Sequence, residues 1–200
     1  MADTSAVHEL DLVFAISTTS TNADEIFPKI KETAKTIVDK YGFERVRYAV
    51  IVFGTTPKVA VGLNDLLSDR ETFKRLLDVI PRQRGTGDLT KTLLESQRLF
   101  QTATRRPNAR KVLVLVMDKR SVSKPEEISK ASKGLEDDEV IVVPVAVGRE
   151  ANSKELARTT TNDGYLVKTT KEVNPTNLAG QILDRSLKGV VLNCITSKEC

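Results

Sequence analysis

The stretch that decides the fold is a short apolar run followed directly by hydroxyl side chains. Residues 10–21 read LDLVFAISTTST. A run of this length that is almost wholly apolar is typical of a strand buried on both faces of a parallel sheet. Because the hydroxyl residues begin where that run ends, the sequence predicts a central strand at 10–16 that carries a polar loop to one edge of the sheet.

The remainder of the chain alternates apolar runs with amphipathic stretches. Further strands are predicted at residues 45–53, 58–61, 111–117, 140–147 and 165–167. Helices are predicted at residues 24–40, 70–80, 88–100, 125–134, 153–159 and 176–188. The turn at Gly54 suits a hairpin, so the strand after it is expected to run antiparallel at the sheet edge. We predict an α/β, doubly wound, Rossmann-like fold, with a mostly parallel six-stranded sheet, one antiparallel edge strand and helices on both faces.

Composition bounds the class of protein. The chain has 200 residues, of which 40% are hydrophobic and 29% charged, and this predicts one folded domain. We place that domain at 10–189, between an N-terminal tail at 1–9 and a C-terminal extension at 190–200. No apolar run approaches the roughly 20 residues that cross a bilayer, so no membrane insertion is expected. The net charge of +4 is spread over mixed charges and does not indicate a nucleic-acid partner.

The two cysteines, Cys194 and Cys200, both lie in the predicted extension. They are disulfide candidates, either with each other or with neighbouring modules. A catalytic Cys–His pair is not expected, because the only histidine, His8, lies at the other end of the chain. The first residues lack the pattern of a secretory signal, which fits either an intracellular protein or a piece of a larger secreted one.

The loops that follow the predicted strands carry most of the candidate chemistry. In open α/β sheets, ligands bind beyond the carboxyl ends of the strands, where the strand order reverses. The loops at 17–21, 84–88 and 118–121 are all rich in side-chain oxygens. We therefore expect these three loops to meet at one place.

In the order and spacing of these loops, the sequence resembles a von Willebrand factor A (vWA) domain over roughly residues 10–189. In that family a metal-ion-dependent adhesion site combines Asp-x-Ser-x-Ser after the first strand, a loop threonine and a later aspartate. The corresponding positions here are Ser17, Thr19, Thr21, Thr86 and Asp118. The VAVG run at 145–148, ahead of SKEL at 153–156, adds to the resemblance. It implies a non-enzymatic adhesion module of an extracellular protein, of the matrilin or collagen VI type.

The sequence departs from the family pattern at Ser17, which stands where the family has its first aspartate. Asp118 is then the one carboxylate of the motif, and Lys119 and Arg120 follow it directly. Mg²⁺ prefers oxygen ligands with carboxylate charge, so we expect no cofactor, or at most weak Mg²⁺ at this degenerate site. Two structural roles remain open: the 17–21 loop would cap the helix that begins near Asp24, and Asp118 would bind loop amides or hydroxyls.

Positive charge near the same loops suggests a partner chemistry. The residues concerned are Arg82, Arg84, Lys119, Arg120 and Lys124. Arginine and lysine bind carboxylate and sulfate directly, so acidic segments or sulfated glycans are candidate ligands. The resemblance implies extracellular matrix proteins or neighbouring vWA modules as partners. Paired acids, or a nucleophile with its base, are missing from these loops, so we expect no enzymatic activity.

A flavodoxin-like FMN-binding protein is the alternative reading. A hydroxyl-rich loop such as 17–21, at a helix N-terminus, also suits phosphate. Against this alternative, the loop has no glycine, the chain has no Trp, and Phe and Tyr are sparse. Nucleotide hydrolysis is disfavoured because both Gly-rich phosphate-binding motifs are missing from the sequence.

Overall fold

A mixed β-sheet forms the centre of the protein. The computed structural model describes residues 9–17, 19–65, 69–160 and 162–186. Its strands are β1 (Leu10–Ser17), β2 (Val46–Phe53), β3 (Pro57–Val61), β4 (Arg110–Met117), β5 (Val140–Val147) and β6 (Val167–Thr169). The strand order is β3-β2-β1-β4-β5-β6, and only β3 pairs antiparallel. The predicted sheet and its antiparallel edge strand are confirmed.

Helices cover both faces of this sheet. They are α1 (Ala23–Tyr41), α2 (Arg70–Val79), α3 (Leu89–Thr102), α4 (Pro125–Asp137), α5 (Ser153–Leu156) and α6 (Pro175–Ser186). Apolar residues of α1, α2 and α6 join one buried cluster, and those of α3, α4 and α5 join the other. The two-sided α/β architecture is therefore as predicted.

The β1 strand shows why its sequence is apolar almost throughout. Leu12 and Phe14 pack into the cluster on one face, whereas Val13 and Ala15 pack into the cluster on the other. Side chains alternate across a strand, so a strand covered on both faces needs apolar residues at successive positions. Every residue of β1 is buried, which holds the strand rigidly in the middle of the sheet.

The central strands bring the predicted loops to one edge. β1 lies parallel to β2 and β4, and its last residue, Ser17, pairs with Phe53 on one side and Met117 on the other. The chain moves outward in opposite directions from β1 and β4, which makes their junction the topological switch point of the sheet. Asp118 directly follows β4, so it lies next to the end of β1.

Several predicted boundaries were wrong, among them those of the last strand and of α4. The last strand was expected at 165–167, but Asp163–Tyr165 forms a 3₁₀ turn and β6 is Val167–Thr169. α4 was expected to end at Gly134 but continues to Asp137. A Cβ at Gly134 would lie 2.8 Å from the Gln97 side chain, so this glycine allows α3 and α4 to approach each other and does not end the helix.

A close crossing of two loops positions the segment before α3. A Cβ at Gly54 would lie 2.1 Å from the carbonyl oxygen of Arg84, which only glycine avoids. The Asp88 amide donates to the Gly54 carbonyl at 2.9 Å. The turn after β2 therefore packs against the 84–88 loop and holds it in place through the contacts at Gly54.

This crossing predicts opposite effects for two Gly→Ala substitutions. Gly54→Ala should lower the free energy of unfolding by about 1–3 kcal/mol, because backbone must move to admit the methyl group. Gly180→Ala, inside α6 with no atom within 4 Å of the new Cβ, should raise it by up to about 1 kcal/mol through helix propensity. Urea unfolding of both variants checks this, and equal effects would contradict the crossing.

Candidate ligand-binding site at the strand ends

Asp118 ties the loop after β1 to the end of β4. Its Oδ1 accepts the Thr19 amide at 2.9 Å, and its Oδ2 accepts the Ser20 amide at 3.3 Å and the Ser20 hydroxyl at 2.8 Å. The Asp118 side chain is buried, with the residue 1% exposed. Hydrogen bonds to a carboxylate are among the stronger ones in proteins, so this aspartate fixes the path of the loop. The structure thus shows the structural role predicted for Asp118, which is bonding to loop amides and a hydroxyl.

Buried hydroxyls without hydrogen-bond partners surround this aspartate. Ser17 Oγ and Thr19 Oγ1 have no partner among the described residues. Gly87 lies over both, since a Cβ on Gly87 would be 3.5 Å from each hydroxyl oxygen. The expectation that the 17–21 loop caps α1 was wrong, because the N-cap is Asn22 and no side chain caps the helix.

The structure separates the two threonines of the 84–90 region. Thr86 is exposed and forms no hydrogen bond with the described residues. Thr90 lies in the first turn of α3, and its Oγ1 is buried without a partner in the described part of the chain, like the hydroxyls of Ser17 and Thr19. Its amide donates to Ser123 Oγ at 2.9 Å, in the loop that follows Asp118. Sequence reasoning missed Thr90, although the helix start that places it was recognisable from the cap at Asp88.

Thr21, the remaining hydroxyl of the predicted motif, turns outward. Its Oγ1 lies 3.4 Å from Glu150 Oε1, at the end of β5. Ser20 is not part of the predicted motif, but it is buried and its hydroxyl, unlike that of Thr21, donates a hydrogen bond to Asp118. Of the motif residues, the structure thus places Ser17, Thr19 and Asp118 together.

A serine network connects the Asp118 loop to the N-terminus of α3. Ser121 Oγ accepts the Leu89 amide at 3.1 Å, and Ser123 Oγ donates to Asp88 Oδ1 at 3.1 Å. Asp88 also caps α3 by accepting the Lys91 amide at 3.0 Å, as predicted. Burial acts to raise the pKa of Asp88, but the hydrogen bonds from Lys91 and Ser123 outweigh it and lower the pKa. The first three backbone amides of α3, those of Leu89, Thr90 and Lys91, therefore all donate to side chains of the protein.

Glu155 supports the same loop from α5. The residue is buried, and its Oε2 accepts the Ser121 amide at 3.1 Å. Burial raises the pKa of Glu155, while the Ser121 hydrogen bond and the nearby Arg120 charge lower it by less. Its pKa is therefore above the ordinary glutamate value, and the fold favours the protonated form.

Glu155→Gln should remove one component of the pH dependence of stability. A raised native pKa means that the contribution of Glu155 is complete below its ordinary pKa and is lost as pH rises through the native value. Glutamine keeps an oxygen that can accept the Ser121 amide. The free energy of unfolding of the wild type, minus that of the variant, should therefore fall as pH rises, by about 1.4 kcal/mol per unit by which the native pKa of Glu155 is raised. Urea unfolding of both proteins between acid and neutral pH measures this, and a constant difference would contradict it.

The predicted basic residues differ in their exposure to solvent. Arg82 is mostly buried and lies 3.3 Å from Asp24 in an ion pair, whereas Arg84, Lys119, Arg120 and Lys124 are exposed. Arg82 and Arg84 line a cavity of about 300 Å³ together with Thr19 and Ser20. A second cavity, of about 630 Å³, opens on the other side of Ser20 between α1 and the ends of β5 and β6.

The donor set fits a divalent cation poorly. Asp118 is its one carboxylate, and both carboxylate oxygens already accept hydrogen bonds. Among the described ranges, no group of three or more His, Cys, Asp or Glu side chains could hold a metal. The buried hydroxyls are oxygen donors, but they carry no charge to balance that of the metal. These residues therefore lack the negative charge that a divalent cation needs.

Comparison with known proteins identifies the family. The family model described as the von Willebrand factor type A domain matches residues 11–181. Because that match covers most of the chain, the protein belongs to the vWA family. Members are typically interaction modules without enzymatic activity, and the match does not support the flavodoxin-like alternative. None of the helices in the described ranges is long and apolar enough to cross a membrane.

Solved structures show the same fold at low sequence identity. Proximal thread matrix protein 1 from the mussel byssus is 19% identical, with a TM-score of 0.80, covering 90% of this chain and 48% of that one. The manganese-loaded TRAP protein of Plasmodium vivax is 13% identical, with a TM-score of 0.71, covering 88% and 72%. A zinc-occupied form of the mussel protein is also 19% identical, with a TM-score of 0.77 and coverage of 90% and 48%. The chain thus spans about half the length of the mussel protein.

Proposed function

We propose that the strand-end face, formed by the loops at 17–21, 82–90 and 118–124, is a non-enzymatic adhesion surface that binds its partner without a metal. The observation that carries this proposal is the set of hydrogen bonds from Thr19 and Ser20 to Asp118. Both oxygens of this carboxylate accept hydrogen bonds from the loop after β1, which supports a face that is organised by protein groups.

The serine at position 17 supports metal independence. Ser17 is fully buried at the end of β1, where a carboxylate would supply the second negative charge that a divalent ion needs. The exposed cations Lys119 and Arg120 add repulsion to any ion near Asp118. We propose a degenerate metal site with at most weak Mg²⁺ binding, formed by Ser17, Thr19, Asp118 and, in place of the exposed Thr86, Thr90.

The partner chemistry follows from the exposed charges. Arg84 lines the smaller cavity, and Lys119, Arg120 and Lys124 are exposed in the loop that follows Asp118. Arginine binds carboxylates and sulfates with paired hydrogen bonds. We propose acidic segments of extracellular matrix proteins or of neighbouring vWA modules, or sulfated glycans, as ligands of this face.

An extracellular setting is part of the same proposal. The mussel protein of similar fold comes from the byssus, a secreted material. Cys194 and Cys200 lie outside the described residues, so their disulfide and the extension at 190–200 stay predictions. We propose that the chain acts as a domain of a larger secreted or matrix protein.

A direct prediction concerns Mg²⁺. Millimolar Mg²⁺ should leave the melting temperature of the wild type nearly unchanged, because a ligand stabilises the native state only through its occupancy. Ser17→Asp adds the second carboxylate. If Mg²⁺ reaches ten times its Kd, this variant should gain about 1.4 kcal/mol, or roughly 3–5 °C.

Two threonine variants test the hydroxyl assignment in the Ser17→Asp protein. Thr90→Val should abolish the Mg²⁺ response, whereas Thr86→Val should leave it intact and acts as the matched control. A saturable Mg²⁺ response in the wild type that Asp118→Ala removes would overturn the degenerate site.

Partner binding is predicted to depend on charge and not on metal. Binding to immobilised heparin or to an acidic peptide should persist in EDTA and weaken as salt rises. The triple variant Arg84→Ala, Lys119→Ala, Arg120→Ala should lose about tenfold in affinity, since each of three exposed ion pairs contributes about 0.2–1 kcal/mol.

The control changes the same amount of charge elsewhere. Lys40, Arg98 and Lys130 are exposed on helices and lie outside the strand-end loops. Their triple alanine variant should bind like the wild type. Equal losses in both triple variants would show attraction to net charge only and would remove the strand-end face as the binding surface.

A further inference from the structure

A second charged cavity lies at the opposite end of the sheet. It has a volume of about 300 Å³ and is formed by the amino ends of β1, β2 and β4 and the connection after α3. Its charged lining comprises Arg47, Arg105, Arg106, Lys111, Asp11 and Glu139. We infer that this amino-end cavity binds a tetrahedral oxyanion, a sulfate or phosphate group.

One buried acid serves two of these arginines. Asp11 is 4% exposed and accepts from Arg47 Nε at 2.8 Å, from Arg47 Nη2 at 2.6 Å and from Arg106 Nη2 at 2.6 Å. Arg106 also donates to the Leu10 carbonyl at 2.7 Å. Arg106 Nη1 also lies 3.9 Å from Oε1 of the partly exposed Glu9, so the two arginines face one buried and one partly exposed carboxylate. The cluster therefore holds two arginines in fixed positions in the lining of the cavity.

Several donors in the cavity remain unused. Arg105 is exposed and forms no hydrogen bond or ion pair with the described part of the chain, so its guanidinium donors are available. Lys111 Nζ makes one hydrogen bond, to the Asp138 carbonyl at 2.9 Å, although an ammonium group has three donors. Arg47 Nη1 likewise has no acceptor among the described residues. These groups come from β2, β4 and the loop between α3 and β4, so they converge on the cavity from different directions.

The size and charge of the cavity select the ligand. The lining carries four cations and two acids, and with Glu9 beside Arg106 one positive charge remains in excess. A volume near the lower end of the range for small-ligand pockets suits one charged group better than a peptide segment. A carboxylate offers two oxygens, which a single arginine fork satisfies, whereas sulfate and phosphate offer more oxygens for donors from separate side chains. A tetrahedral oxyanion therefore uses the unused donors more completely.

This site is independent of the proposed strand-end face, because the amino and carboxyl ends of parallel strands lie at opposite edges of the sheet. Arg105 is the residue to test, since it has no part in the Asp11 cluster that supports the fold. Arg105→Gln removes the charge and the guanidinium fork while keeping a polar side chain at an exposed position.

The experiment follows the arginine Nε–H signals of the full chain by NMR during titration with inorganic sulfate and, separately, inorganic phosphate, against sodium chloride at equal ionic strength. The Arg47 and Arg105 signals should shift saturably with the oxyanions and not with chloride. Arg105→Gln should weaken the response at Arg47 roughly tenfold. Arg84→Gln, at the strand-end face, should leave it unchanged.

A sulfated disaccharide in the same titration identifies the source of the oxyanion. Tighter binding of the disaccharide than of inorganic sulfate at Arg47 assigns a sulfate ester as ligand, and the reverse assigns the free ion. Shifts that stay linear, that chloride reproduces, or that Arg105→Gln leaves unchanged would overturn the site. Because Arg84 and Arg105 report separate ends of the sheet, failure at one end leaves the other proposal standing.

Discussion

The hydrogen bonds between Asp118 and the loop after β1 are the interaction on which the strand-end site depends. They join the two central strands at the point where the sheet order reverses, and this is where a doubly wound fold leaves a gap between outgoing loops. The buried serine network then extends this connection to the first turn of α3. Three loops far apart in sequence are thereby fixed around one carboxylate.

The serine at position 17 distinguishes this site from the family pattern, which has an aspartate there. In the proposed degenerate site, hydroxyl side chains remain but the first aspartate of the family pattern is missing. The buried hydroxyls of Ser17, Thr19 and Thr90 have no hydrogen-bond partner among the described residues, which costs stability. We propose that the protein has kept the shape of the face and replaced the ion by hydrogen bonds and by surrounding basic side chains.

Much of the fold could be predicted because its signals are local. The apolar run of β1 and the Asp88 cap of α3 identify their elements without knowledge of the partners. The features that the sequence analysis predicted wrongly or missed depend on tertiary contacts. Gly134 looks like a helix end until the approach of Gln97 is known, and Thr90 is one of several threonines until α3 is placed against the Asp118 loop. Likewise, the Asp11 cluster unites residues whose separation in sequence gives no sign of contact.

Amide hydrogen exchange at Thr19 and Ser20 tests the central claim most directly, because both amides donate to Asp118. In EDTA both should exchange slowly, and adding Mg²⁺ should leave their rates unchanged. Asp118→Ala should accelerate both while the β1 amides stay protected. Exchange in EDTA as fast as in an unstructured peptide, with protection only after Mg²⁺ is added, would contradict a loop organised by Asp118 alone.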